Sequence, residues 1–141
     1  MSSVARRYYE RGKAALDTGD LETAQEALRA AIDLAPAFGN ARVAYAVALA
    51  KAGDCPRAAA VLRAGIPRAT SPISAAAMYA TLGDVLVLGG DFFGAEEAFA
   101  TARQTPGFEA RAAAGLARVH ARLGRYRDMA DALRRAATLA G

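Results

Sequence analysis

Apolar and small residues recur along this chain at helical spacing, and they do so in pairs of segments arranged around a repeated Gly-Asp. Gly19-Asp20, Gly53-Asp54 and Gly90-Asp91 are followed by a variant, Gly124-Arg125, at separations of 34, 37 and 34 residues. Two residues after each glycine stands Leu21, Cys55, Phe92 or Tyr126, and five after stands Ala24, Ala58, Ala95 or Met129. Nine after comes Leu28, Leu62, Phe99 or Leu133, and twelve after comes Ala31, Gly65, Ala102 or Ala136. Offsets of five, nine and twelve share one helical face, so each phrase predicts a helix that meets its neighbours at short range. Upstream, eleven residues before the glycine stand Tyr8, Arg42, Tyr79 and Ala113, and eight before stand Arg11, Tyr45, Leu82 and Leu116. Seven before, the residue is always small: Gly12, Ala46, Gly83 or Ala117. A second helix is therefore predicted ahead of each turn, and each unit reads as helix, turn, helix.

In "LGGDFFGAEEAF", Leu88 to Phe99, Gly90 permits the tight bend, Asp91 caps exposed backbone N–H groups, and Phe92 and Phe99 are assigned to the core. Three extra residues fall between the second and third units, around "IPRATSPIS". Pro67 should end one helix, and Ser71 with Pro72 reads as an N-cap followed by a proline in the first turn. The reading adopted is a lengthened loop within one file of repeats, with a domain boundary as the alternative.

These residues resemble the tetratricopeptide repeat, whose pattern of aromatic, leucine, glycine, alanine, aromatic and alanine has a period of about 34. The third unit, "YATLGDVLVLGGDFFGAEEAFATA", fits most fully, and the first adds Pro36 at its close. The second and fourth depart, with Arg42 and Ala113 where an aromatic is expected. The repeats run over about 5–38, 39–75, 76–109 and 110–141, within a single domain of residues 1–141. The resemblance implies an all-α fold, a right-handed α-solenoid of four helix-turn-helix repeats, with a concave groove lined by the first helix of each pair.

Projected onto this chain, the family's inner positions fall on Arg6, Tyr9, Lys13 and Asp17, then Asn40, Val43, Val47 and Lys51. Ala77, Ala80, Asp84 and Val87 follow, and then Arg111, Ala114, Arg118 and Arg122. The implied function is a non-enzymatic adaptor or scaffold that receives an extended segment or helix of another protein, with an acidic one suited to the basic groove ends. RNA or polyanion binding is the alternative, although Ala77, Ala80 and Asp84 make a poor middle for it. The carboxylate clamp that some members use would need Lys, Asn and Arg side chains at Tyr9, Lys13, Ala44, Ala77 and Thr81, and only Lys13 qualifies.

Composition narrows the class. The 141 residues are 54% hydrophobic and 23% charged, as suits one domain with an ample core. Cys55 is the only cysteine, so neither an internal disulfide nor a cysteine-based zinc site can form, and the reducing cytoplasm is the expected setting. The opening "MSSVARRYYERG" is charged where a secretory leader needs its apolar core, and no apolar run is expected to span a membrane. The net charge of +4 leaves an acidic partner open. Formal charge alternates along the units as −1, +4, −4 and +5. In the last unit, Arg111, Arg118 and Arg122 form one helical stripe. It reads either as a binder of carboxylates or phosphates or as a solvated face.

Little else suggests chemistry. His120, the only histidine, is expected to be a partly buried packing residue, and Cys55 a buried filler. The paired Tyr8 and Tyr9 divide between core and groove. No phosphate loop, metal-ligand cluster or catalytic triad is recognisable, so no cofactor, metal or enzymatic activity is expected. The last helix lacks the usual Asp at its start. Met129, Ala130, Leu133, Ala137 and Leu139 leave an apolar face without a later helix to cover it. A homo-oligomer or a docked partner is expected there.

Overall fold

A glycine followed by an aspartate can end one helix and start the next, and the chain uses the pair this way three times. The structure, a computed structural model, describes residues 2–140, with side chains to 138. The first hairpin is α1 (Ser3–Asp17) and α2 (Leu21–Leu34), and the second is α3 (Gly39–Lys51) and α4 (Cys55–Gly65). The third is α5 (Pro72–Gly89) and α6 (Phe92–Ala102), and α7 (Glu109–Ala140) closes the file. At the turns Gly19, Gly53 and Gly90 have φ of +82°, +90° and +87°, a left-handed conformation that glycine adopts without a Cβ penalty. The Asp N–H that follows donates to the carbonyl five residues back, Ala15, Leu49 or Leu86, and so seals the end of the first helix. Its carboxylate then accepts from the N–H of Thr23, Arg57 or Gly94, at 3.2, 3.2 and 2.9 Å. Each such cap satisfies one of the backbone donors that a helix start leaves open.

Successive helices pack on one another from α1 to α7, and the odd-numbered helices also meet directly, α1 with α3, α3 with α5 and α5 with α7. A file whose neighbours touch more closely in one layer than in the other curves toward the touching layer, which makes the odd-numbered helices the inner face of a helical-repeat solenoid. The small residues of the repeat allow the hairpins to close. A Cβ on Gly12 would come within 2.5 Å of the Leu28 side chain, and one on Gly83 within 2.6 Å of the Phe99 ring. Phe99 is fully buried between Gly83 of α5 and Gly115 of α7, so the third hairpin and the last helix share one aromatic anchor.

Across the insertion, Ile66–Arg68 forms one 3-10 turn, and Ser71 caps α5 by accepting from Ser74 N–H at 3.0 Å. Both α3 and α4 pack on α5 beyond it. Helix α5 is also long and apolar enough to cross a membrane by length and composition alone, contrary to the expectation that no run in this chain would be. It lies between α3 and α4 on one side and α6 and α7 on the other, and it is the central core helix of the file.

The fourth unit departs from the sequence expectation. Residues 110–140 do not form a hairpin; α7 runs without a break through Gly124 and Arg125. Arg125 supplies no carboxylate to start a new helix, and the surrounding Leu, Arg and Tyr all tolerate a continuous one. Gly124 therefore remains helical at a cost of about 1 kcal/mol relative to alanine. The burial pattern records the difference. Ala112, Gly115, Leu116, Val119 and Leu123 are buried against the preceding unit, whereas Ala113, Ala117 and His120 are exposed. In the second unit the residues corresponding to these three, Arg42, Ala46 and Leu49, are all buried.

Two smaller expectations also change. His120 is an exposed side chain whose Nε2 lies 3.0 Å from Glu96 Oε2 of α6, because no returning helix covers its face. Cys55 opens α4 half-buried, beside Gly89, instead of sitting in the interior.

Candidate functional site

The inner face changes character along the file. At its N-terminal end, the starts of α3 and α5 lie near the first turns of α1 and enclose a depression of about 370 Å³. Arg6 and Tyr9 line it from α1, Phe38 and Asn40 from the start of α3, and Ser71, Ile73 and Ser74 from the start of α5. The Tyr9 and Phe38 rings form its aromatic wall, with centroids 4.9 Å apart. Lys13 lies one turn further along α1, its Nζ 5.9 Å from the Tyr9 ring centre. This is within cation–π range and leaves the ammonium at the rim. Arg6 and Asn40 are exposed, and Ile73 is 64% exposed, an unusual degree for a large aliphatic side chain. Here a guanidinium, an amide, the hydroxyls of Thr70, Ser71 and Ser74, and apolar surface converge, a combination that suits a peptide with an acidic or hydrogen-bonding edge and an apolar side chain. Tyr8 faces away and lines a separate surface with Val4, Arg7 and Arg11.

In the middle, Val43 and Val47 are half-buried, Ala80 is buried and Lys51 is exposed in the last turn of α3. These positions form a smooth floor rather than a site of specific polar contacts.

At the far end the arginine stripe is present but engaged. Asp84 of α5 receives Arg118 at 2.8 Å and Arg111 at 3.3 Å. Arg111 also donates to Thr81 Oγ1 at 3.3 Å, and that hydroxyl donates to Ala77 O at 2.9 Å. Arg122 lies 5.8 Å from the Phe92 ring centre. Two of the three guanidiniums in the stripe are thus committed to an internal carboxylate, and the alternation of unit charge appears as a physical link between α5 and α7.

Of the inner positions that the family resemblance implies, Arg6, Tyr9 and Asn40 line one depression, and Asp84 meets Arg111 and Arg118 as an ion-pair partner. It missed Phe38, Ser71, Ile73 and Ser74. Phe38 falls outside the recurring offsets, and Ser71 was legible as a helix cap with no indication that the inserted loop would bring it toward α1. A second depression of similar size, about 370 Å³, lies among α4, α5 and α6 and holds none of the inner-face residues. Among the described residues, no three His, Cys, Asp or Glu side chains gather as metal ligands would.

Capped helical hairpins in a file, with a continuous inner face, define an α-solenoid of the kind that offers extended surface rather than an enclosed reaction site. Residues 9–72 match the tetratricopeptide repeat family model, so the first two hairpins are similar to the repeats of that family. No curated protein matches it. The matched segment runs from Tyr9 through the second hairpin to the first residue of α5. Repeats of this family commonly mediate protein–protein interaction and are generally not catalytic.

Proposed function

We propose that this chain is a non-enzymatic adaptor or scaffold that holds a peptide or helix of a partner protein along its inner face, anchored in the N-terminal depression. The observation that carries this reading is the convergence of Arg6, the Tyr9–Phe38 wall and Asn40 on one open cavity. A bound segment would set an apolar side chain against Tyr9 and Phe38 and a carboxylate against Arg6 or Lys13, then run over the valine and alanine floor toward α7. The partner segment is accordingly apolar with acidic residues. A cytoplasmic setting is part of the proposal, in keeping with a chain that has a single cysteine.

Polyanion or RNA binding draws support from the net charge of +4, but Asp84 already occupies Arg111 and Arg118, which favours the protein-binding reading. The test is a photo-crosslinking residue placed at Asn40, with capture from the native cell extract and with Arg6→Glu and Tyr9→Ala as competitors. The expected result is one protein crosslinked at position 40 and lost with either substitution. Retention of the same partner by both variants, or crosslinks to RNA that vanish steeply with added salt, would overturn the proposal.

A further inference from the structure

Helix α7 docks on the rest of the molecule with one stripe, and that stripe continues beyond the surface it docks on. Leu116, Val119 and Leu123 are buried against the third hairpin. Spaced alternately by three and four residues, the same face goes on through Tyr126, Ala130, Leu133 and Ala137, the pattern of a coiled-coil seam. All four are exposed, Tyr126 at 57% and Leu133 at 65%.

From this continuity we infer that the projecting half of α7 pairs antiparallel with the same segment of a second copy, giving a two-fold dimer. Three features of the sequence and fold select that occupant. First, large and small residues alternate along the seam, so antiparallel pairing sets Tyr126 against Ala137 and Ala130 against Leu133 of the second copy. The two-fold axis repeats both contacts, and alanine at every other seam position lets the helices approach closely. Second, the seam is continuous with an interface already made. Helix α6 runs antiparallel to α7, with Phe99 against Gly115, Glu96 at His120 and Phe92 5.8 Å from Tyr126. It begins at Phe92 and reaches no further along α7. The second copy's helix lies where a longer α6 would lie. Third, a notch of about 330 Å³ waits at the junction, its apolar wall formed by Phe92, Phe93, Leu123, Tyr126 and Ala130 and its edge by Asp91 and Arg127. The end of the incoming helix enters it and covers Phe93, which is 68% exposed in the single copy.

Flanking charge limits the strength of this contact without forbidding it. Antiparallel pairing brings Arg127 beside Arg134 of the second copy, but Arg134 is already paired with Asp131 one turn earlier. On the other flank Met129 meets Ala136. Two seam repeats per chain make a small interface, so the dimer is a weak, concentration-dependent one. The notch and seam lie apart from the N-terminal depression, and this inference does not depend on the reading of that site. The sequence expectation of an oligomeric face at Met129, Ala130, Leu133 and Ala137 thereby acquires a register; the side chain of Leu139 lies outside the described residues.

The test mixes two single-cysteine variants, Met129→Cys and Ala136→Cys, each in a Cys55→Ala background, under mild oxidation with oxidised glutathione. Antiparallel pairing predicts a disulfide between the two different variants and little crosslinking of either alone. The same residues of the two copies lie about 10 Å apart along the axis, beyond disulfide reach. Sedimentation of the unmodified chain from about 1 µM to about 1 mM should show monomer passing to dimer, with Leu133→Asp monomeric throughout. Crosslinking of each variant to itself, absence of the mixed disulfide, or a monomer at every concentration would overturn the proposal.

Discussion

Arg42 lies across Gly65, its side chain filling the space that a Cβ at position 65 would need. Both residues break the repeat pattern: arginine stands where the first and third units carry tyrosine, and glycine stands where the others carry alanine. The two departures fit each other. Arg42 is 8% exposed, and its Nε donates to Pro36 O at 2.9 Å and its Nη1 to Val61 O at 3.1 Å. One side chain thus ties the end of the first hairpin to both helices of the second. Burial, and secondarily the nearby Arg68 charge, holds the guanidinium below its ordinary pKa, yet the two carbonyls give it partners that a buried charge requires.

Gly65→Ala should therefore destabilise the chain by about 1–3 kcal/mol, as overpacking does, even though alanine is the better helix former and the consensus residue at that position. Arg42→Ala should cost a similar amount through the unpaired carbonyls. In urea unfolding the double variant should lose less than the sum of the two, since the alanine no longer meets the arginine. Simple additivity would show that the fit between the two residues has no energetic content.

The pair also marks how far the sequence could be read. Hairpins one to three were legible because glycine, aspartate and the small residues recur at fixed offsets, and each has a local physical role. Arg42 and Gly65 read as two defects, since nothing in a single chain of letters shows that one fills the space left by the other. The fourth turn differs from its pattern for the opposite reason. Tyr126, Met129 and Leu133 keep the register of a second helix, but the turn itself depends on a cap that Arg125 cannot provide. Within the site, Arg6, Tyr9 and Asn40 follow from the family resemblance, whereas Phe38 and Ile73 arrive through loop geometry that has no period.

Acid should act on the first turn through Asp20. Thr23, through its hydroxyl and then its backbone N–H, holds the Asp20 carboxyl below its usual pKa. A depressed folded value means that the stabilisation is present above the unfolded carboxylate pKa of about 3.9 and is lost as pH falls through the lower folded value. Asp20→Asn keeps an acceptor for Thr23 N–H but cannot titrate. The stability difference between the chain and this variant should be constant above about pH 5 and should shrink or change sign as the pH drops below about 4. A difference unchanged from neutral to acidic pH would remove Asp20 from the acid response.

Releasing the arginines should change what the far end of the inner face can hold. Asp84→Ala frees Arg111 and Arg118, whose ion pairs are more than a third exposed and contribute less than about 1 kcal/mol each to folding. Stability should barely move. Affinity for an acidic peptide or for single-stranded RNA should rise, with a log–log salt slope steeper by one to two ions. If neither rises, the arginines are held by something other than Asp84, and the difference in character between the two ends of the groove has another cause.

Supplying the missing cap should turn α7 into the hairpin that the sequence pattern anticipates. In the three turns that form, a left-handed glycine precedes an aspartate whose carboxylate accepts from the N–H three residues on. Arg125→Asp recreates that pair after Gly124, adds about 1 kcal/mol in favour of a helix start, and relieves the similar cost of a glycine inside a helix. The partners for a folded-back helix are already spaced correctly. Gly12 meets Leu28 and Gly83 meets Phe99 across 16 residues, and Ala117 and Leu133 are 16 residues apart as well. Spin labels at Ala113 and Ala136 report the outcome. In the straight helix they are 23 residues apart, about 35 Å at the usual rise, whereas across a closed hairpin they are neighbours, as Arg42 and Gly65 are. The expected result for Arg125→Asp is a new population at short distance together with loss of the concentration-dependent dimer, because folding back withdraws Leu133 from the seam. A single long distance in the variant would mean that the cap does not decide the course of α7, and that the exposed Ala113, Ala117 and His120 face is left open for a reason outside the turn.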